Sequence, residues 1–254
     1  STLDLNKFYN EIKGNDILRF ESSLRGSLNN FSLENFKLNS DNGIKIMGDI
    51  NLINAVQQTQ FYLSSNIEES SLNYFKLKSV LPNLLENNLP KELKQLGEFS
   101  VSGYTKITPN SIEAALKVNS EIGSIVSDLE LNNFKSMDEA IYKGEVILDR
   151  FDLGSFLEDS AFGSVSFEGE VDGEGFKAGN RNTKLVGEIY EIKFNEYNYK
   201  NISINGLYQN NLFNGKLASN DVNLIGTFEG LADLSEEINK FDFKATINYA
   251  NLNA

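Results

Sequence analysis

Val165-Ser-Phe167-Glu-Gly169-Glu-Val171 is the stretch that decides the fold class. On an extended chain Val165, Phe167, Gly169 and Val171 fall on one side and Ser166, Glu168 and Glu170 on the other, as in a strand with one buried face. The same period of two recurs along the chain. Phe20, Ser22, Leu24, Gly26 and Leu28 share a side, and so do Ile44, Ile46, Gly48, Ile50 and Leu52. Phe99, Val101 and Gly103 repeat the scheme, as do Ile202, Ile204, Gly206 and Tyr208. Asn, Asp, Gly and Ser fill the joints, and about one residue in eight is Asn, which tolerates the left-handed backbone that turns need. Only three prolines occur, so long hydrogen-bonded ladders are permitted. The expected class is mainly β.

Helical signals are few. Leu89, Leu93 and Leu96 form one helical stripe, with Pro90 suited to the first turn and Gly97 to the stop. An earlier turn is expected near Pro82, which makes a short helical insert over about 81–97. Ser155-Phe-Leu-Glu158 has capping-box spacing, and Ser235-Glu-Glu-Ile238 reads as a second short capped turn. Glycines also repeat. Gly26, Gly103 and Gly206 each close an alternating strand, and Gly48, Gly123 and Gly226 follow at 22, 20 and 20 residues (48−26, 123−103, 226−206). Phe61 to Leu72 is echoed by Phe241 to Leu252. Stacked irregular repeats are the expected organisation: one continuous segment over 1–254, with rough repeats 17–97, 98–187 and 188–254. Glycine-jointed strands also build ordinary sandwiches, and the pattern leaves that alternative open.

Composition removes most chemistry. The 254 residues contain no Cys, His or Trp. Disulfides, Cys/His zinc sites and Ser-His-Asp or Cys-His triads are therefore excluded. Catalysis would have to run on carboxylates, Lys or Tyr alone, and nothing among the 36 acids singles out a pair, so no catalysis and no cofactor are expected. Lys and Arg number 23 against 36 Asp and Glu, a net charge of −13. Nucleic acid and anionic membrane surfaces are poor partners for such a chain. No apolar run approaches the roughly 18–20 residues of a membrane helix. The chain opens in mid-pattern at Ser1-Thr-Leu-Asp-Leu5, as an excised or mature segment would, with targeting signals expected elsewhere. The carboxylate-rich Glu168–Glu174 stretch fails as an EF-hand: Gly173 fits the sixth position, but the twelfth is Gly179. Gly173-Glu-Gly175-Phe-Lys-Ala-Gly179 has the wrong spacing for a dinucleotide loop, and no helix pattern follows. Tyr190, Tyr197 and Tyr199 read as sheet residues.

The apolar face remains as the candidate site. Its expected inward residues are Phe20, Leu24, Leu28, Ile44, Ile46, Ile50 and Leu52 in the first third. Phe61, Leu63, Phe99, Val101, Leu116 and Val118 follow, then Val165, Phe167 and Val171. Ile192, Phe194, Ile202, Ile204, Tyr208, Val222, Leu224, Phe228, Phe243 and Ile247 complete the set. Such a lining is either filled by its own side chains or holds an apolar ligand.

Several ordered motifs resemble the TamB/AsmA-like family. Leu81-Pro-Asn-Leu-Leu and Leu89-Pro-Lys-Glu-Leu-Lys-Gln-Leu-Gly97-Glu-Phe-Ser-Val-Ser-Gly103 are similar to its helix-then-strand unit. Tyr142 to Gly154, Gly163 to Gly175, Tyr197 to Gly206, Phe213 to Ser219 and Phe241 to Ala254 extend the likeness over nearly the whole chain. The resemblance implies a β-taco: an elongated, U-shaped or twisted open sheet of irregular repeats with a few short plugging helices. It implies a periplasmic segment of a protein anchored in the inner membrane of a diderm bacterium. It further implies phospholipid acyl chains carried in the groove between the two membranes, against the inward residues named above. Outer-membrane protein assembly with a BamA-superfamily barrel by strand capture is the competing role, and a non-conducting β-repeat stalk a third.

Overall fold

A computed structural model describes residues 17–57, 59–80, 91–134, 139–175, 181–210, 212–233 and 240–251. The protein is mainly β, one open antiparallel sheet of fourteen strands in sequence order, not closed into a barrel. The strands are β1 (Leu18–Gly26), β2 (Asn30–Ser40), β3 (Lys45–Ile53), β4 (Tyr62–Asn73), β5 (Glu98–Ile107), β6 (Ser111–Ser120) and β7 (Gly123–Asn132). They continue with β8 (Ile141–Asp152), β9 (Phe162–Glu174), β10 (Asn182–Phe194), β11 (Tyr197–Gln209), β12 (Leu212–Asn220), β13 (Leu224–Asp233) and β14 (Lys240–Ala250). Two compact units separate, one holding β1–β5 and the other β8–β14, with residues of β6 and β7 divided between them.

The strands are long and their alternation does not run unbroken. In β2 the inward residues step from Leu33 to Phe36 across Asn35, whose φ is 52°. In β8 they step from Leu148 to Phe151 across Arg150 (φ 46°), and in β11 from Tyr199 to Ile202 across Asn201 (φ 53°). Those in β2 and β8 are bulges, where one extra residue bends the strand, raises its twist and returns the next apolar residue to the same face, whereas the β11 step faces an equal step in β10 and keeps their register. In β10 the step from Ile189 to Ile192 keeps Ile189 opposite Phe167 and Ile202, and Ile192 opposite Val165 and Tyr199.

Helical pieces occur at the β4–β5 and β8–β9 connections. In the first unit α1 (Tyr74–Val80) follows β4, and a 3-10 helix (Lys91–Leu96) precedes β5. The predicted Leu89–Gly97 helix is thus partly present, as a tighter six-residue 3-10 turn; Leu89, Pro90 and the turn near Pro82 lie outside the described residues. Gly97 ends it at a φ of +66°, the left-handed conformation that glycine adopts without penalty. Leu72, Tyr74, Leu96 and Phe99 are buried where these pieces meet the sheet.

In the second unit α2 (Leu153–Leu157) packs on β9. Asp152, not Ser155, is its cap: the Asp152 carboxylate accepts the Ser155 N–H at 3.0 Å and the Ser155 hydroxyl at 2.7 Å. Glu158, expected to complete a capping box, instead ends the helix in the left-handed conformation. The cap lies three residues earlier than expected because the Asp152 carboxylate is placed to accept from Ser155. The predicted turn at Ser235–Ile238 lies outside the described residues. The glycines of the sequence repeat differ in conformation: Gly26, Gly48, Gly103 and Gly123 have positive φ, while Gly206 and Gly226 do not.

Candidate functional site

Cross-strand register shows what each face of the sheet carries. In the second unit one row runs Leu148, Phe167, Ile189, Ile202, Ser219, Gly226 and Ile247 from β8 to β14. The next runs Val146, Gly169, Gly187, Ile204, Leu217, Phe228 and Ala245. The third runs Gly144, Val171, Leu185, Gly206, Gly215, Gly230 and Phe243. These rows carry no charged residue. The hydroxyls near them are turned back into the sheet: Tyr142 bonds Thr183 at 2.5 Å, and Ser219 donates to the Leu224 carbonyl at 2.8 Å.

The opposite face is ionic. Glu145 stands across from Glu170, and Glu168 across from Glu188, with Lys143, Asp172, Lys184, Lys216 and Glu229 on the same side. A depression of about 650 Å³ lies here, walled by Glu145, Glu168, Glu170, Glu188 and Lys216 over Ile147, Val186 and Ala218. Its walls are long side chains rising from the exposed, charged face, so its volume is mostly solvated space between them. No group of three or more Asp or Glu among the described residues is placed to hold a metal ion.

The apolar face is covered unevenly. Under α2, Phe151 is 2% exposed and Val165 4%; the Phe151 and Phe156 rings meet at 5.3 Å, and Phe162 and Phe194 at 5.1 Å. That section is filled by its own side chains. Beyond it Val146, Val171, Leu185, Ile189, Ile202, Ile204, Leu217 and Phe228 are only half-buried. An apolar cavity of about 140 Å³ lies between β12, β13 and β14. Phe213, Gly215, Leu217, Phe228, Gly230, Ala232, Phe241 and Phe243 line it, together with Glu229 and Leu231, which register assigns to the other face.

In the first unit the face is shorter and less uniform. Phe31, Leu52, Leu63 and Ile107 share one row, and Leu33, Ile50, Ser65 and Thr105 another, in which the Ser65 and Thr105 hydroxyls bond at 2.7 Å. Ser70 fills a bulge, bonding both the N–H and the carbonyl of Val101 at 2.6 and 2.7 Å. Phe36 and Ile44 are buried.

The sequence-predicted lining residues accordingly divide. Ile44, Phe99, Val165 and Phe167 are buried, inside the self-packed sections. Ile46, Ile50, Leu52, Phe61, Leu63, Val101, Val171, Ile192, Phe194, Ile202, Ile204, Tyr208, Leu224 and Phe228 are half-buried. Leu116 and Val118 alternate with exposed Ala115, Lys117 and Asn119 on β6. Phe20 and Leu24 on β1, and Phe243 and Ile247 on β14, are exposed. Leu28 and Val222 are not on a strand face. Leu28 sits in the turn closed by Ser27 and Asn30, and Val222, 78% exposed, in the turn closed by Asp221 and Leu224. Tyr142, Leu185, Ile189, Phe213 and Leu217 belong to the face but escaped sequence reading. Carrying the alternation on through the three-residue steps at bulges finds Ile189, and following the strands flanking Gly187 and Gly215 finds the rest of β10 and β12.

No family model matches the chain, and no curated protein or solved structure matches it either.

Proposed function

We propose that the chain is a TamB/AsmA-like β-taco segment that carries phospholipid acyl chains on its apolar face and performs no chemistry. The observation that supports this reading is the uncharged, half-buried face of β8–β14, seven strands wide and backed by an ionic surface. At about 0.8 kcal/mol per buried methylene, an acyl chain gains affinity from such a face without any specific polar contact. Headgroups would stay at the margin in water, and movement would be one-dimensional sliding set by supply and acceptor. The reading places the segment in the periplasm of a diderm bacterium, within a protein anchored in the inner membrane.

The test is a photo-crosslinker at Leu185 or Ile204 together with native mass spectrometry of the purified protein. Phospholipid adducts from these positions are expected, and none from Glu188 on the ionic face. A protein that purifies without lipid and crosslinks to none sinks the reading.

Strand capture is the second reading, favoured by the sheet's margins. β14 is exposed at all of its residues, and among the described residues each of β1 and β14 pairs with a single neighbour. Such edges are templates for β-augmentation, with a BamA-superfamily barrel or its clients as the partner the family resemblance suggests. Crosslinks from Lys244 or Thr246 to a barrel protein, without lipid adducts from Ile204, would replace the first reading by this one.

A further inference from the structure

Three aromatic rings on the apolar face lie down over glycines. A Cβ on Gly169 or Gly187 would sit 2.5 or 2.7 Å from the Phe167 ring, and one on Gly173 would sit 2.8 Å from that of Tyr142. On Gly206 it would come within 2.5 Å of two carbons of the Phe213 ring, and on Gly215 within 3.0 Å of one. Gly206 and Gly215 are cross-strand partners, so the Phe213 ring spans two strands in a socket that only glycine leaves open. The same ring forms one wall of the 140 Å³ apolar cavity. A cavity of that order, lined by apolar side chains, holds a benzene-sized apolar group.

We infer that the Gly206–Gly215 socket is the positioning element for the bound acyl chain: it seats the Phe213 ring against the sheet and so leaves this cavity open to the end of a single hydrocarbon chain. The inference rests on the lipid-carrying reading and adds the place where the chain ends and the socket that sets its depth. The occupant's chemistry follows from the lining: Phe213, Leu217, Phe228, Ala232 and Phe243 offer no charge and no hydrogen-bonding side chain, and the one charged lining residue, Glu229, pairs across the strands with Lys216 on the ionic face. Gly206 is the informative position. Its backbone is ordinary extended strand, and the nearest atoms to an added methyl belong to the ring; the Asn214 carbonyl lies farther, at 3.0 Å. A methyl there therefore displaces the ring more than the backbone, toward the cavity it walls.

The experiment is a set of palmitate titrations on wild type, Gly206→Ala, Phe213→Ala and the double variant, with thermal unfolding of each. Gly206→Ala is expected to weaken palmitate about tenfold, and the double variant to return to within about twofold of wild type, since one methylene's worth of pocket is a 10- to 200-fold effect. Loss of packing alone would lower the melting temperatures of both single variants without that rescue. Wild-type affinity in Gly206→Ala, or a double variant as weak as Gly206→Ala, overturns the inference while leaving the lipid reading intact. If Gly206→Ala does not fold, Phe213→Trp takes its place: a larger ring on the same socket must weaken palmitate, and unchanged binding overturns the inference. Wild-type protein that binds neither palmitate nor phospholipid removes both.

Discussion

Asp221 is 1% exposed and carries four hydrogen bonds' worth of local order. Its carboxylate accepts the Tyr197 hydroxyl, the Lys200 N–H and the Asn223 N–H, each at 2.8 Å, and its own N–H meets the Ser219 hydroxyl at 3.4 Å. Asn223 in turn donates to the Tyr197 hydroxyl and accepts from Asn251, so one turn ties β11 to the end of β14. Burial pushes the carboxyl up, but the donors from Asn223, Tyr197 and Lys200 outweigh it and hold the group below the usual carboxylate range. Its stabilisation is therefore complete above the ordinary carboxylate pKa and is lost as pH falls through the lowered folded-state value. Asp221→Ala should cost about 1–3 kcal/mol at neutral pH, because it strands two part-buried N–H groups and a part-buried hydroxyl. Urea midpoints measured against pH should show a shallower acid limb in the variant; an unchanged limb would assign the acid sensitivity to other carboxylates.

At the scale of elements, α2 is too short to stand alone and depends on its cap and its seat on β9. Asp152 is held below the usual range, chiefly by the Ser155 N–H and then by the Ser155 hydroxyl. Asp152→Ala should cost about 0.5–2 kcal/mol, with faster hydrogen exchange at Ser155 as the local readout. The strands of the ionic face contain an opposite kind of element-level feature. Glu145 opposite Glu170 is a like-charge pair, and such pairs are destabilising by roughly 0.2–1 kcal/mol. Glu170→Lys should therefore raise the melting temperature at low salt, with the gain shrinking as salt is added.

At the scale of the whole molecule, the sheet is an open single layer with self-packed sections beside the helical connections. Stability should concentrate in those sections. Phe151→Ala, deep under α2, should cost about 3–5 kcal/mol, and Phe228→Ala, half-exposed on the open face, roughly half of that. Equal losses from denaturant titrations would show that the open face is as tightly packed as the covered one. The absence of charge from the three described rows of β8–β14 is a property of the second unit. Ile204→Asp should leave the fold in place, because the new carboxylate still reaches water, and on the lipid-carrying proposal it should abolish lipid adducts; unfolding of this variant would mean that the position is closed.

The β class, the alternation of an apolar with a charged face and the stop at Gly97 are legible in the sequence, because side-chain direction in a strand and the left-handed preference of glycine are local properties. The sequence also excluded histidine and cysteine chemistry by composition alone. It misplaced Leu28 and Val222, since alternation counted along the chain does not know where a turn begins. It missed Ile189, since a bulge at Tyr190 changes the phase of the count, and it placed the α2 cap at Ser155, three residues late. Which part of the apolar face is filled and which is open depends on tertiary packing between separate elements of the chain. Phe167 and Phe228 both sit at inward strand positions, but α2 packs on the strand of one and not on the strand of the other. Coverage of a face is set by what the chain brings back over it, and that information is not contained in the strand that carries the residue.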